Sequence, residues 1–162
     1  MTPQPAKSRN RLAEVILDEA TIPRAAPDVD HERTVAIFDL IEENSFGVPG
    51  CDDGPYVLKI SQEESKLTFE VRTASGEPAA TIVVSMTPFR PLLKDYFLVC
   101  ETYYSAIRAS SPRQIESIDR ERTKLHNEGA ELMAQRLDGT IDIDQGTARR
   151  LFALVSALRW RV

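Results

Sequence analysis

Residues 87–108 read TPFRPLLKDYFLVCETYYSAIR and form the densest apolar and aromatic segment of the chain. Thr87 is a favourable N-cap residue, and Pro88 fits the first position of a helix. Pro112 marks the far end, because the residue before a proline resists helical geometry. Apolar side chains recur inside the segment at steps of four and three residues: Leu93, Phe97, Cys100, Tyr104 and Ile107. This period predicts one buried stripe on a central helix against which the fold is built.

The predicted central helix is apolar around much of its circumference. A helix of this kind is usually covered on more than one side. Two arrangements meet that requirement: the helix lies between other elements of the domain, or one face meets a partner. We expect the stripe to face the sheet, and if Tyr96, Glu101 and Tyr103 then lie open, the helix borders a groove or an interface.

Length and composition predict a globular protein. The 162 residues are enough for one domain with a sizeable core, and we expect a mobile tail at 1–10 before a single domain at 11–162. The net charge of −5 argues against nucleic-acid binding, whose footprint is basic.

No apolar run is long enough for a membrane span, and MTPQPAKSRN lacks a secretory signal. Cys51 and Cys100 do not form a disulfide framework, so we expect a cytoplasmic protein with reduced thiols.

The remaining patterns predict an α+β fold. Alternating apolar residues and turn signals indicate strands at 12–18, 56–62, 67–72 and 79–86, with a short edge strand at 140–143. Helical periodicity indicates helices at 29–44, 87–108, 112–137 and 145–159. We therefore predict one domain in which an antiparallel meander of three to five strands packs against about four helices. The short link between the second and third helices predicts antiparallel packing.

The predicted helix at 29–44 has an unusual charge pattern. Asp28 or Asp30 is suited to cap its N-terminus, where negative charge is favourable. Glu42, Glu43 and Asn44 occupy its last turn, where negative charge is unfavourable. Residues that break a local rule are sometimes kept for function, so we treat these three as candidate ligand or interface residues. The alternative is that a nearby arginine neutralises them.

The two histidines lie in separate polar clusters. The first cluster is His31, Glu32 and Arg33, and the second is His126, Asn127 and Glu128. Together they offer ligands for a metal or an acid–base pair, but only if the two clusters converge. Neither HEXXH nor a paired CXXC is present, so the sequence predicts no cofactor and no reaction. Surface and capping roles are the alternative.

Glycine and arginine positions add further constraints. Gly129 lies mid-helix, where glycine costs about 1 kcal/mol relative to alanine, and indicates either a close helix crossing or access for a ligand. Arg122 and Arg136 lie on an apolar stripe and need an anionic partner, in the protein or on a ligand. Arg149 and Arg150 belong to a late basic cluster that forms either an anion-binding surface or ion pairs with glutamates.

Several segments of the chain resemble a known protein family. They are DVDHERTVAIFDLIEENSF, SMTPFRPLLKDYFLVCETYYSAIR, LHNEG and TARRLFALVSALRWR. These segments are similar to an uncharacterised bacterial family of about this length, associated with alphaproteobacteria, and the resemblance extends over nearly the whole chain. It implies a cytoplasmic single-domain protein and assigns no activity.

Two functional hypotheses follow from the sequence, which leaves open whether the protein is an enzyme. The first is a non-enzymatic interaction or regulatory protein, a homodimer or an adaptor, with the central helix as core and interface. The alternative is a small-ligand or metal-binding protein, with a hydrolase as one form of it, whose site lies around His31, Glu32, His126 and Glu128.

Overall fold

The computed structural model describes residues 9–109 and 111–158, and within them a sheet packs against four long helices. The strands are β1 (Leu12–Leu17), β2 (Phe46–Gly47), β3 (Tyr56–Glu63), β4 (Lys66–Thr73), β5 (Pro78–Ser85) and β6 (Asp142–Ile143). The helices are α1 (Pro27–Glu42), α2 (Arg90–Ala109), α3 (Pro112–Leu137) and α4 (Gln145–Ala157), and a 3-10 turn (Thr87–Phe89) precedes α2. The predicted α+β class is confirmed. The predicted tail lies largely outside the described residues.

The main sheet has the strand order β1-β3-β4-β5. β3, β4 and β5 form the predicted antiparallel meander, whereas β1 pairs parallel to β3, with Leu17 opposite Ile60. A parallel neighbour requires a long crossover connection, and α1 lies in that connection. β2 and β6 form a separate two-stranded sheet in which Phe46 lies opposite Ile143. The predicted strand near 140–143 is therefore confirmed, and its partner lies in the loop after α1.

One face of the meander is buried and the other is largely exposed. Leu58, Ile60 and Phe69 point into the core and are fully buried. Lys59 and Val83 lie on the opposite face and are exposed. This alternation is the pattern expected of an antiparallel sheet that packs on one side only.

The most deeply buried helix is α4, so the prediction that residues 87–108 form the central helix of the fold is wrong. Asp144 caps α4 by accepting a hydrogen bond from the Thr147 N–H at 2.8 Å. The helix packs against both α1 and α3. Its buried side chains are Thr147, Ala148, Leu151, Phe152, Leu154, Val155, Ser156 and Ala157. In α2, by contrast, only Leu93 and Ala106 are buried.

The predicted aspartate cap of α1 is also wrong. The N-cap is Ala26, whose side chain cannot accept a hydrogen bond, and Pro27 occupies the first turn. Asp30 instead accepts the N–H of Ala25 at 3.0 Å, which fixes the chain before the helix. Within residues 9–109 and 111–158, no helix has the length and apolar content that crossing a membrane requires.

Candidate functional site

Helices α2 and α3 form an antiparallel hairpin. Ser111 caps α3 in a capping box with Gln114, in which each side chain bonds the other's backbone N–H. Tyr103 of α2 meets Arg122 of α3, and Tyr96 meets His126. Because the later α2 residue meets the earlier α3 residue, the two helices run in opposite directions, as predicted.

The Arg122 side chain has its anionic partner inside the protein. Its Nη2 lies 2.6 Å from Asp119 Oδ1, and its guanidinium carbon lies 4.0 Å from the ring centroid of Tyr103. Burial alone would lower the pKa of Arg122, but the hydrogen bond and the charge of Asp119 raise it overall. A charged, stacked arginine therefore joins the hairpin helices. Arg136, the other predicted arginine on this stripe, is exposed.

The His126 ring lies between the hairpin and α4. Its Nε2 is 2.8 Å from the backbone oxygen of Arg149, and its ring centroid is 5.6 Å from that of Phe152. A carbonyl only accepts hydrogen bonds, so Nε2 carries the proton. Burial, together with the positive charges of Arg149 and Arg122, lowers the pKa of His126. The imidazole is therefore neutral at pH 7, and Nδ1 is an acceptor.

The apolar stripe of α2, which we call the α2 seam, changes from buried to exposed along its length. It consists of Leu93, Phe97, Cys100, Tyr104 and Ile107. Leu93 is fully buried, Phe97 and Cys100 are partly buried, and Tyr104 and Ile107 are 62% and 52% exposed. The expectation that the whole stripe faces the sheet is therefore wrong for its second half.

The three residues expected to border a groove beside the stripe differ in their exposure. Tyr96 and Tyr103 are partly buried, and their rings contact α3 side chains. Burial and a hydrogen bond with Cys100 raise the pKa of Tyr96, so its phenol stays protonated. Glu101 alone of the three predicted residues is exposed. The two tyrosines thus belong to the hairpin interface.

A cleft of about 310 Å³ lies between α1, α3 and α4. Ala36, Gly146 and Ala153 contribute little side-chain bulk to its lining. Its polar lining residues are Asp39, His126, Arg149 and Arg150. Arg150 Nη2 also lies 3.5 Å from Glu43 Oε2. We call this space the α1–α3–α4 cleft.

Comparison with known proteins identifies the family. A family model described as an uncharacterised protein family, UPF0262, matches residues 9–161. The chain belongs to the UPF0262 family. It is 57% identical over 149 residues to a UPF0262 protein of Hyphomonas neptunium, covering 92% of each chain. Identity to a UPF0262 protein of Methylobacterium radiotolerans is 53% over 152 residues, 94% of each chain. A UPF0262 protein of Rhodopseudomonas palustris is 47% identical over 160 residues, 99% of this chain and 98% of its own. No solved structure matches.

The resemblance inferred from the sequence is confirmed, since these UPF0262 relatives come from alphaproteobacteria and have similar lengths. The family carries no described activity, so it assigns no role to any residue. Functional arguments for this UPF0262 protein therefore rest on its own contacts.

The first histidine cluster does not line the α1–α3–α4 cleft. His31 and Glu32 are exposed in the first half of α1. Arg33 is buried and donates from Nε to Ala157 O at 3.1 Å and from Nη2 to Leu158 O at 3.2 Å. Arg33 therefore satisfies carbonyls at the end of α4. Arg33 lies four residues, about one helical turn, before the apolar residue Ile37, and this spacing is the sequence signal for its buried position.

Contacts within the protein account for Glu43 and Asn44 in the polar residues at the end of α1. Asn44 accepts the Leu12 N–H at 2.8 Å and donates to Leu40 O at 2.8 Å, so it joins α1 to β1. Glu43 pairs with Arg150, as in the neutralisation alternative. Glu42 is exposed at the end of the helix.

The second histidine cluster is divided between two surfaces. His126 faces α4, whereas Glu128 is exposed on α3. Asn127 Oδ1 is buried and has no hydrogen-bond partner among the residues that the structure describes. Among the described residues, no group of three or more His, Cys, Asp and Glu side chains is arranged to hold a metal ion. The metal-binding alternative therefore gains no support.

No pattern in the sequence connects the cleft residues with one another. No motif marks Asp39, and the sequence presents Arg149 and Arg150 only as part of a basic cluster. Arg149, Arg150 and Ala153 follow the helical spacing of α4, but their meeting with Asp39 depends on how α1 packs.

Proposed function

We propose that this UPF0262 protein is an interaction protein that forms a homodimer through the exposed half of the α2 seam. The observation that supports this proposal is the exposure of Tyr104 and Ile107 on a stripe whose first residue, Leu93, is fully buried. Apolar residues at alternating steps of three and four form the seam of paired helices. The natural occupant of such a seam is a second helix.

The spacing of the seam favours a second copy of the same helix. From Phe97 to Ile107 the steps are three, four and three, which read the same in both directions. Two antiparallel copies related by a two-fold axis therefore place Phe97 opposite Ile107 and Cys100 opposite Tyr104. A two-fold interface requires this kind of self-complementary surface.

The chemistry of the surface favours a protein partner. Tyrosine is enriched at protein interfaces because its ring is apolar and its hydroxyl tolerates water. A net charge of −5 disfavours nucleic acid. Within residues 9–109 and 111–158, neither Cys51 nor Cys100 takes part in a disulfide, which supports our proposal that the protein acts in the reducing cytoplasm.

The test is sedimentation velocity of the wild-type chain and two variants. At about 100 µM we expect the wild type to be a dimer. The double variant Tyr104→Glu with Ile107→Glu should be a monomer, because burying unpaired carboxylates weakens association by about 100-fold or more. Leu98→Glu is the matched control. Leu98 is 61% exposed on the same helix but lies nine residues, two and a half turns, from Ile107 and therefore on the opposite side.

The Leu98→Glu variant should remain dimeric. A wild-type chain that is monomeric at this concentration would overturn the proposal. Equal loss of the dimer in Leu98→Glu and in the seam variant would show that the interface lies elsewhere.

A further inference from the structure

The α1–α3–α4 cleft has the size of a small-molecule site. Its volume of about 310 Å³ lies at the lower end of the ~300–1,000 Å³ typical of ligand pockets. Ala36 of α1 and Gly146 and Ala153 of α4 leave this space open because their side chains are small or absent. The cleft therefore accepts a compact molecule with a short apolar body.

Helix α4 supplies the positive side of the cleft. Arg149 and Arg150 are adjacent in sequence and both line it. A Cβ on Gly146 would lie 3.1 Å from Arg150 Nη1, so the guanidinium lies directly over this glycine. The ion pair of Arg150 with Glu43 is loose, because the atoms are 3.5 Å apart and the Glu43 side chain is 80% exposed. Such a pair is readily exchanged for an incoming anion.

Helices α1 and α3 supply acceptors. Asp39 of α1 lines the cleft and carries a carboxylate. His126 of α3 donates its Nε2 proton to the Arg149 carbonyl, which leaves Nδ1 as an acceptor on the neutral ring. Donors thus come from α4, and acceptors come from the two helices packed against it.

We propose that the α1–α3–α4 cleft binds a small zwitterion of the α-amino acid class. Arg149 and Arg150 bind its carboxylate, Asp39 binds its ammonium group, and Ala36 and Ala153 contact its side chain. A simple anion would meet repulsion from Asp39, and a simple amine would meet repulsion from the arginines. Only a ligand with both charges matches both sides. This inference does not depend on the proposed dimer, whose seam lies on α2.

The experiment is isothermal titration of the full chain with each of the twenty standard α-amino acids at up to about 10 mM. For each that binds, the corresponding decarboxylated amine and deaminated acid are titrated in parallel. We expect one or a few amino acids to bind and both truncated analogues to bind at least about tenfold more weakly, since each lacks one charged contact. If none of the twenty binds, or if the deaminated acid binds as well as the amino acid, the proposal is wrong.

Variants then connect binding to the cleft. Arg150→Gln and Asp39→Asn should each weaken binding at least about tenfold. Arg120→Gln, which removes an exposed arginine of α3, should leave it unchanged. Ala153→Leu fills the cleft without altering a charge and should abolish binding, with a melting temperature measured alongside to confirm folding. Stronger binding by Asp39→Asn would identify a simple anion site and overturn the zwitterion assignment.

Discussion

Replacing Gly129 by alanine is expected to destabilise the protein, although alanine is the better helix former. A Cβ at this position would overlap Cζ, Cε1 and Cε2 of the Phe152 ring, far inside the ~3.5–4 Å of normal carbon contact. The ring cannot move easily. Its centroid lies 5.6 Å from that of His126, 5.7 Å from that of Tyr96 and 6.5 Å from that of Phe89.

The size of the effect follows from two opposing contributions. Alanine gains about 1 kcal/mol of helix propensity over glycine. Overpacking a well-filled core costs about 1–3 kcal/mol, and the enclosed ring of Phe152 places this site at the upper end. We therefore expect the free energy of unfolding to fall by about 2 kcal/mol, measured by urea denaturation followed by circular dichroism.

Two further variants isolate the clash at Gly129. In a Phe152→Leu background the same substitution should become neutral or slightly stabilising, because the overlapping ring atoms are gone. Ser117→Ala, at an exposed position of α3, reports helix propensity without a clash and should stabilise the protein by a few tenths of a kcal/mol. If Gly129→Ala in the wild-type background stabilises the protein by about 1 kcal/mol, the close-crossing explanation is refuted.

Two other predictions concern buried polar groups. Arg33→Met should lower the free energy of unfolding, measured by urea denaturation, by about 2–3 kcal/mol, because the carbonyls of Ala157 and Leu158 lose their hydrogen-bond donors. A decrease of less than about 0.5 kcal/mol would contradict the role assigned to Arg33. Burial holds the folded-state pKa of His126 below the usual histidine value of about 6.5, so its contribution to stability is present above that pH and is lost as pH falls below it. The free energy of unfolding of the wild type, relative to that of His126→Phe, should therefore decrease as the pH is lowered from about 7.5 to about 5 in urea titrations. A difference that does not change with pH would contradict this prediction.

Local patterns predicted most secondary-structure elements of the chain. The meander, the α2–α3 hairpin and α4 each carry their period within one continuous segment, together with turn or capping residues. Ser111 and Asp144 cap α3 and α4, and both are residue types favoured at helix N-caps. These features depend on residues that lie close together along the chain, so a single sequence shows them directly.

Long-range pairing could not be predicted in the same way. The pattern of β1 indicates a strand but does not specify the parallel pairing with β3. The α2 seam has the period of a buried stripe, yet Tyr104 and Ile107 are exposed. Periodicity shows that a face is apolar and does not show what covers it. For the same reason α2 was predicted as the central helix, a place that α4 occupies.

Individual site residues were also undetermined by sequence. Arg33 and Asn44 were candidates for ligand binding, but their side chains bond backbone groups more than thirty residues away in the chain. His126 meets Arg149, which lies 23 residues further along the chain. Polar residues that hold two elements together and those that hold a ligand have the same sequence signature, and their partners distinguish them.

A cysteine cross-link across the seam tests the proposed dimer most directly. With Cys51→Ser to remove the other thiol, Tyr104→Cys places a second cysteine opposite Cys100 of the other copy. Two-fold pairing of the seam brings these positions within the ~7 Å between Cα atoms that a disulfide needs. Mild oxidation should then yield a covalent dimer on a denaturing non-reducing gel, whereas Leu98→Cys in the same background should show no covalent dimer on that gel. Absence of the covalent dimer, or equal cross-linking of both variants, would contradict the account.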